Sequence, residues 1–247
     1  MSQQLFYLAM AGLDAAMDRA TAAANNIANR GTTAFKAQNP VFQAMPLYGQ
    51  GQPDRVMVAT GEADADFRPG PVQRTGRSLD VAVKGSGWIV VQAADGNPAL
   101  TRNGSLSISP TGMLQDGAGH IVLGEGFAPI VLPPLQSVTI GEDGTISGAL
   151  VGQTPDQVAS LARIMLADPS NASLQRQSDG LFQDTTAPLQ ADANVRLQVG
   201  ALEDSNADTV SMMMNMIETS RTFQMQTEMM RMIFATGQGQ SSPLTLS

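Results

Sequence analysis

Cysteine is absent from this chain of 247 residues, which excludes disulfides and thiolate-held metals. One histidine and one tryptophan are present, so a His-based triad or a multi-His metal site has no second imidazole to build on. Positive charge is scarce: the formal net charge is -8, and Lys36 and Lys84 are the only lysines. That balance argues against nucleic acid or an anionic membrane surface as a partner, because both reward basic patches. No run reaches the roughly 18 consecutive apolar residues that a membrane span needs. The start has no basic leader, and Asp14, Asp18 and Arg19 interrupt its apolar stretch, so a cleaved secretory signal is not expected. No enzyme, cofactor or metal site is expected.

What the chain does have is a seven-residue apolar repeat at each end. Phe6, Met10, Leu13, Met17, Ala20, Ala24 and Ile27 step by four and three, and so do Met212, Met216, Thr219, Phe223, Gln226, Met230 and Ile233. Such spacing places one stripe on one helix face, which needs a partner along its length. The first helix is expected over about residues 3–29, favoured by its alanines and stopped by Asn29, Arg30 and Gly31, with Gly31 suited to a left-handed cap. The second is expected over about 208–236, capped by Asn206 or Asp208. The two stripes predict helices that pair as a coiled coil. Phe6, Met10, Leu13, Met17, Ile27, Met212, Met216, Ile217, Phe223, Met230 and Ile233 are the candidate assembly residues on them.

Between the helices the pattern changes. Residues 32–50 read as irregular chain. From Val72 onward, short apolar runs alternate with turn pairs such as Asp95-Gly96, Asn103-Gly104, Asp143-Gly144 and Asp179-Gly180, whose residues tolerate the backbone of tight hairpins. Leu79–Val83, Trp88–Gln92, Leu161–Ala167 and Val195–Val199 are among the expected strands, and turns every 8–12 residues predict a mainly antiparallel β-domain. The expected class is therefore α+β. Its parts are a helix and its end (1–35), an extended connection (36–71), a β-rich domain (72–200), a second helix (201–236) and a tail (237–247).

The residues that invite chemistry have simpler readings. Met212-Met-Met214, Met216, Met225, Met229, Met230 and Met232 wrap around a helix instead of converging on a soft-metal pocket, and flexible thioethers suit packing against unlike neighbours. Gly85-Ser-Gly87 precedes a strand, whereas phosphate loops open a helix. His120 sits at a turn and reads as a surface residue. Glu142-Asp143 and Asp64/Asp66 could serve as acid and base, but Asp143-Gly144 already makes sense as a hairpin. Asn25, Asn26 and Asn29 are more telling. Asn is a poor helix-interior residue, and capping explains only Asn29, so bonds across subunits are expected at this cluster. Phe35 is expected to be an apolar anchor beside the helix end.

Three groups of residues carry a resemblance. Asn25-Asn-Ile-Ala-Asn29 with Thr32-Thr-Ala-Phe-Lys36 resembles the N-terminal signature of bacterial flagellar rod and hook proteins, close to N-I-A-N-x-x-T-x-G-F-K. Leu79-Asp-Val-Ala-Val83, Gly85-Ser-Gly-Trp-Ile-Val-Val91 and Thr101-Arg-Asn-Gly104 resemble the core β motif of that family. Gly200-Ala-Leu-Glu203, Ser205-Asn206 and Asn215-Met-Ile-Glu-Thr219 are similar to its C-terminal signature. Ala34 stands where the family usually has Gly, from which a backbone without a glycine-only conformation is expected. Within the family the likeness is to the proximal rod members. The resemblance implies a non-enzymatic subunit of the periplasmic flagellar rod, exported through the flagellar type III apparatus without signal cleavage. Its terminal helices would polymerise to transmit torque, and its partners would be further copies, other proximal rod proteins and the distal rod protein. A distal rod or hook subunit, or a rod-associated peptidoglycan-acting or wall-binding protein, are the alternatives.

Overall fold

The computed structural model describes residues 2–46, 56–60, 64–152, 158–169 and 173–239. The chain divides into two compact units. One comprises Met1–Asn29, Ala37–Asp66 and Ala207–Ser247, and the other comprises Arg30–Lys36 and Phe67–Asn206. Two helices are present among the described residues, α1 (Ser2–Ala28) and α2 (Thr209–Gly239), and the remaining elements are short strands.

The first unit holds both helices. Asp208 caps α2: its carboxylate accepts from the Val210 N–H at 3.1 Å and from the Ser211 hydroxyl. At the end of α1 the Asn29 N–H donates to Asn25 O at 3.0 Å, and the Asn29 side-chain amide donates to the same carbonyl. Gly31 is not in the left-handed region; the left-handed residue is Ala34, at φ 56°. The expectation of a glycine cap at Gly31 is corrected by this turn, while Ala34 takes a left-handed conformation that glycine favours but a residue with a Cβ can adopt. Residues 32–50 are not all irregular either. Phe42–Pro46 pairs antiparallel with Val56–Thr60, and Gln38–Asn39 with Asp64–Ala65.

The expected coiled coil is not what the helices form. They contact each other in antiparallel fashion: Gly12 lies against Gln226, and Asn26 against Met212. The face that α1 buries runs through Ala15, Ala16, Ala22, Ala23 and Asn26, one residue out of step with the predicted stripe. Small side chains let two helix backbones approach closely, and a Cβ at Gly12 would stand 2.5 Å from the Gln226 amide nitrogen. Met10 and Met17 are left exposed on the opposite side of α1, and Met216 and Phe223 are exposed on α2. Among the described side chains, no seam of interlocking large residues is made. The seven-residue period was present, but close approach selected the face of small residues over the face of large ones.

The second unit is all strands. Its largest sheet runs in the order Leu174–Arg176, Phe182–Asp184, Pro98–Thr101, Trp88–Gln92, Ile121–Val122, Leu114–Gln115, Ser107–Ile108, with Leu166–Ala167 also paired to Trp88–Gln92. Leu135–Ile140, Thr145–Leu150 and Ala159–Arg163 make a three-stranded sheet. The run expected as one strand over Leu161–Ala167 is thus broken at Ile164 and Met165 and serves two sheets. Arg196–Val199 pairs with Val81–Lys84, and Ala201–Glu203 with Val72–Arg74. Val81, Ile89, Val91, Leu106, Leu114, Val122, Ile146 and Leu197 belong to one buried apolar cluster. Gly104 has a steric reason to be glycine: a Cβ there would lie 1.7 Å from Val81 O.

Candidate functional site

On the helix pair, the sequence-selected residues sort by face. Met212 and Met230 are half-buried along the edge that meets α1, together with Thr219 and Gln226. Met10, Met17, Met216, Ile217 and Phe223 are exposed, and Leu13 and Ile27 are half-buried. Phe6 and Ile233 lie in the helices, but their side chains are outside the described residues. The result is a helix pair that keeps small and polar groups within and presents large apolar groups outward, the reverse of an isolated helical hairpin.

The asparagines divide the same way. Asn26 is fully buried; its side chain accepts from Gln38 N–H at 2.8 Å and donates to Gln38 O at 2.9 Å, acting as a strand partner for the residue after the crossing. Its amide also touches the Met212 sulfur at 3.6 Å. Asn25 is exposed and accepts from the Asn29 amide at 3.2 Å.

In the β-unit the three signature segments meet at one buried ion cluster. Glu203 from the C-terminal segment receives Lys36 Nζ at 2.7 Å on one carboxylate oxygen and Arg102 Nε at 2.9 Å on the other. The Gly70 N–H adds a bond at 2.9 Å. Lys36 also donates to Arg68 O at 2.9 Å, and Arg102 donates to Val83 O and Gly85 O. Ala34 N–H is held by Glu203 O at 2.7 Å, which accounts for the left-handed turn at this residue: that orientation brings its N–H to the Glu203 carbonyl. The Asn206 side-chain amide donates to Arg68 O, and its N–H donates to Phe35 O.

Phe35 packs in this cluster. The Arg176 guanidinium lies 4.8 Å from its ring and 5.1 Å from that of Phe182, and Arg176 donates to Lys36 O. Burial pushes the Arg176 guanidinium below its ordinary pKa. Phe67, Trp88 and Phe182 make mutual ring contacts at 4.9–5.9 Å, and Arg102 sits over Trp88. Lys36, Arg102 and Glu203 were not singled out from the sequence as a group, although each stands inside a quoted motif. The available signal was that Thr32–Lys36, Thr101–Gly104 and Gly200–Glu203 each carry a single charge.

The groups that could suggest catalysis are structural. Asp143 accepts from the Thr145 hydroxyl at 2.7 Å and the Thr145 N–H at 3.1 Å, which hold its carboxyl below the usual range; it shapes the hairpin. Glu142 is exposed and pairs with Lys84 at 3.3 Å. His120 Nδ1 lies 3.0 Å from buried Asp116, whose carboxylate also accepts from the Ala118 and His120 N–H groups. Among the described residues, no group of three or more His, Cys, Asp or Glu could hold a metal, and no helix is long and apolar enough to cross a membrane.

Comparison with known proteins agrees with the placement of these motifs. Residues 82–148 match the flagellar hook protein FlgE/F/G D1 domain, and residues 198–233 match the flagellar basal body rod FlgEFG protein C-terminal family. The flagellar basal-body rod protein FlgF of Salmonella typhimurium is 40% identical over 227 residues, covering 89% of this chain and 90% of that protein. FlgF of Escherichia coli K12 is 39% identical over the same shares. FlgG of Buchnera aphidicola from Schizaphis graminum is 29% identical over 246 residues, 90% of this chain and 92% of the relative.

Proposed function

The chain belongs to the FlgF family of flagellar basal-body rod proteins and is a structural subunit of the rod; from that premise we propose that it joins its neighbours through the outward faces of α1 and α2. The observation that carries this reading is the exposure of Met10, Met17, Met216, Ile217 and Phe223 on a helix pair whose inner face is small and polar. Each of these side chains is about half exposed, so covering it stabilises by roughly 0.7–1.5 kcal/mol, and several per subunit favour helix-to-helix packing with further copies and with other proximal and distal rod subunits. Met suits this surface because its flexible thioether adapts to unlike neighbours. Asn25 adds a polar group at the same end of α1, and Phe35 anchors the segment that follows. The rod level is proximal, the place is periplasmic, and delivery is through the flagellar type III export apparatus; family likeness supports all three.

Replacing Met17 and Phe223 with Asp tests the reading. The purified double variant keeps the helical far-UV circular dichroism of the parent, since both sites face water in the free subunit. In cells it is missing from isolated basal bodies, and swimming is lost. Normal incorporation and swimming would overturn the helix-face assignment while leaving the family membership intact.

A further inference from the structure

With no cysteine in the chain, two-electron sulfur chemistry can occur only at methionine, and the structure distributes the methionines unevenly. Met214, Met225 and Met232 on α2 are 65%, 64% and 61% exposed, and Met17 on α1 is 54% exposed. On α2, Met213, Met216 and Met229 are exposed as well. In the β-unit, by contrast, Met165 is 3% exposed. Susceptibility of methionine to oxidation follows access to its sulfur. Met17 and Met216 among these belong to the face proposed above for assembly, the other exposed methionines of α2 extend the accessible thioethers around the rest of that helix, and Met165 is shielded.

We propose that the outward methionines of α1 and α2 form an oxidation site for hydroperoxides, and that their conversion to sulfoxide keeps the free subunit out of the rod. This rests on the helix-face reading. The thioether sulfur attacks one peroxide oxygen, the O–O bond breaks and an S–O bond forms. Sulfur loses two electrons, and the peroxide leaves as water, or as an alcohol from an organic peroxide, taking the proton with it. No protein acid, base or metal is needed. Each event turns an apolar contact into a polar, strongly accepting group, and burying that group unpaired against a neighbour is costly. Because the modified atoms point to solvent in the free subunit, the helix pair itself need not unfold. Once neighbours cover the face, the same sulfurs are protected. The site thus acts on subunits before assembly.

The test begins with the purified full chain and hydrogen peroxide, followed by peptide mass spectrometry. Met214, Met225 and Met232 are expected to gain oxygen faster than Met165 by about tenfold or more; equal rates would overturn the site. A pool of subunits is next oxidised in cells by a brief peroxide pulse before rods are allowed to form. Chains recovered from the new basal bodies are expected to carry about tenfold less sulfoxide at these positions than the unassembled pool. The combined variant Met10→Leu, Met17→Leu, Met213→Leu, Met214→Leu, Met216→Leu, Met225→Leu, Met229→Leu and Met232→Leu keeps shape and helix preference, and its incorporation with the pulse is expected to equal its own incorporation without it. Equal sulfoxide in the two fractions, or equal sensitivity of the Leu variant, overturns the inference alone. Absence of the unoxidised chain from basal bodies overturns the assembly reading, and this inference with it.

Discussion

Glu203 is the residue on which the buried charges depend. It is 1% exposed and accepts from two cations, Lys36 and Arg102, that are themselves shielded from water. Glu203→Gln keeps the shape and removes the carboxylate charge that Lys36 and Arg102 share. Breaking one member of a buried ion cluster costs about 3–5 kcal/mol, so a large fall in the denaturant midpoint is expected. Lys36→Met should cost less, because the Glu203–Arg102 pair survives and the methionine fills the space; equal losses for the two variants would refute this ranking. Ala34 gives the opposite sign. Its φ of 56° is strained for a residue with a Cβ, so Ala34→Gly is expected to raise stability by about 0.5–1 kcal/mol, the relief of left-handed strain less the entropy of a freer unfolded chain. A lowered midpoint would show that the Ala34 methyl, buried in the native state, matters more. The motif around Ala34 was legible as a motif. Its left-handed φ was not legible there, because the bond that holds the Ala34 N–H goes to Glu203 O, far along the chain.

The two helices were readable from periodicity and caps to within a few residues, since spacing and capping are local properties. Which face packs was not readable. The repeat at Met10 and Met17 and the row through Ala16 and Ala23 are one residue apart and share the same period, and only the partner decides between them. The strand Phe42–Pro46 was hidden for a similar reason: its pairing with Val56–Thr60 depends on a partner beyond a stretch that reads as a flexible joint. Asp208, in contrast, was marked as a cap candidate by its type and place. The Ser211 hydroxyl, and then the Val210 N–H, hold its carboxyl below the usual carboxylate range. A carboxylate with a lowered folded pKa contributes its stabilisation above the unfolded value, and that contribution disappears as pH falls through the lower folded value. The start of α2 is therefore expected to fray below about pH 4, and Asp208→Ala should fray at neutral pH and lose that acid step. Far-UV circular dichroism across the acid range checks this; an unchanged acid transition in the variant would assign it to Asp95, Asp143 or Asp184, whose carboxyls are lowered in the same direction.

At the scale of the molecule, the chain passes between its two units at residues 29/30, 36/37, 66/67 and 206/207. Inside the β-unit, the segments flanking these passages are tied together: Ala34 and Lys36 to Glu203, Arg68 to Lys36 and Asn206, and Gly70 to Glu203. No single sequence displays such a tie, because its members are separated by up to 169 positions, from Ala34 to Glu203, whereas the motifs that supply them are each compact. The β-unit therefore depends on residues that follow its last long strand. A chain ending at residue 200 lacks the Ala201–Glu203 strand and takes the Glu203 carboxylate away from Lys36 and Arg102, while a chain beginning at residue 30 retains Lys36, Arg102 and Glu203. The first is expected to lose cooperative unfolding of the β-unit, and the second to keep it. Trp88 is the sole tryptophan and sits against Phe67, Phe182 and Arg102, so its fluorescence reports this unit specifically. A sharp Trp88 transition in the chain ending at 200 would mean that the strand pairings alone hold the unit. Its absence there, with retention in the chain beginning at 30, would place the closing step of the β-fold at Glu203.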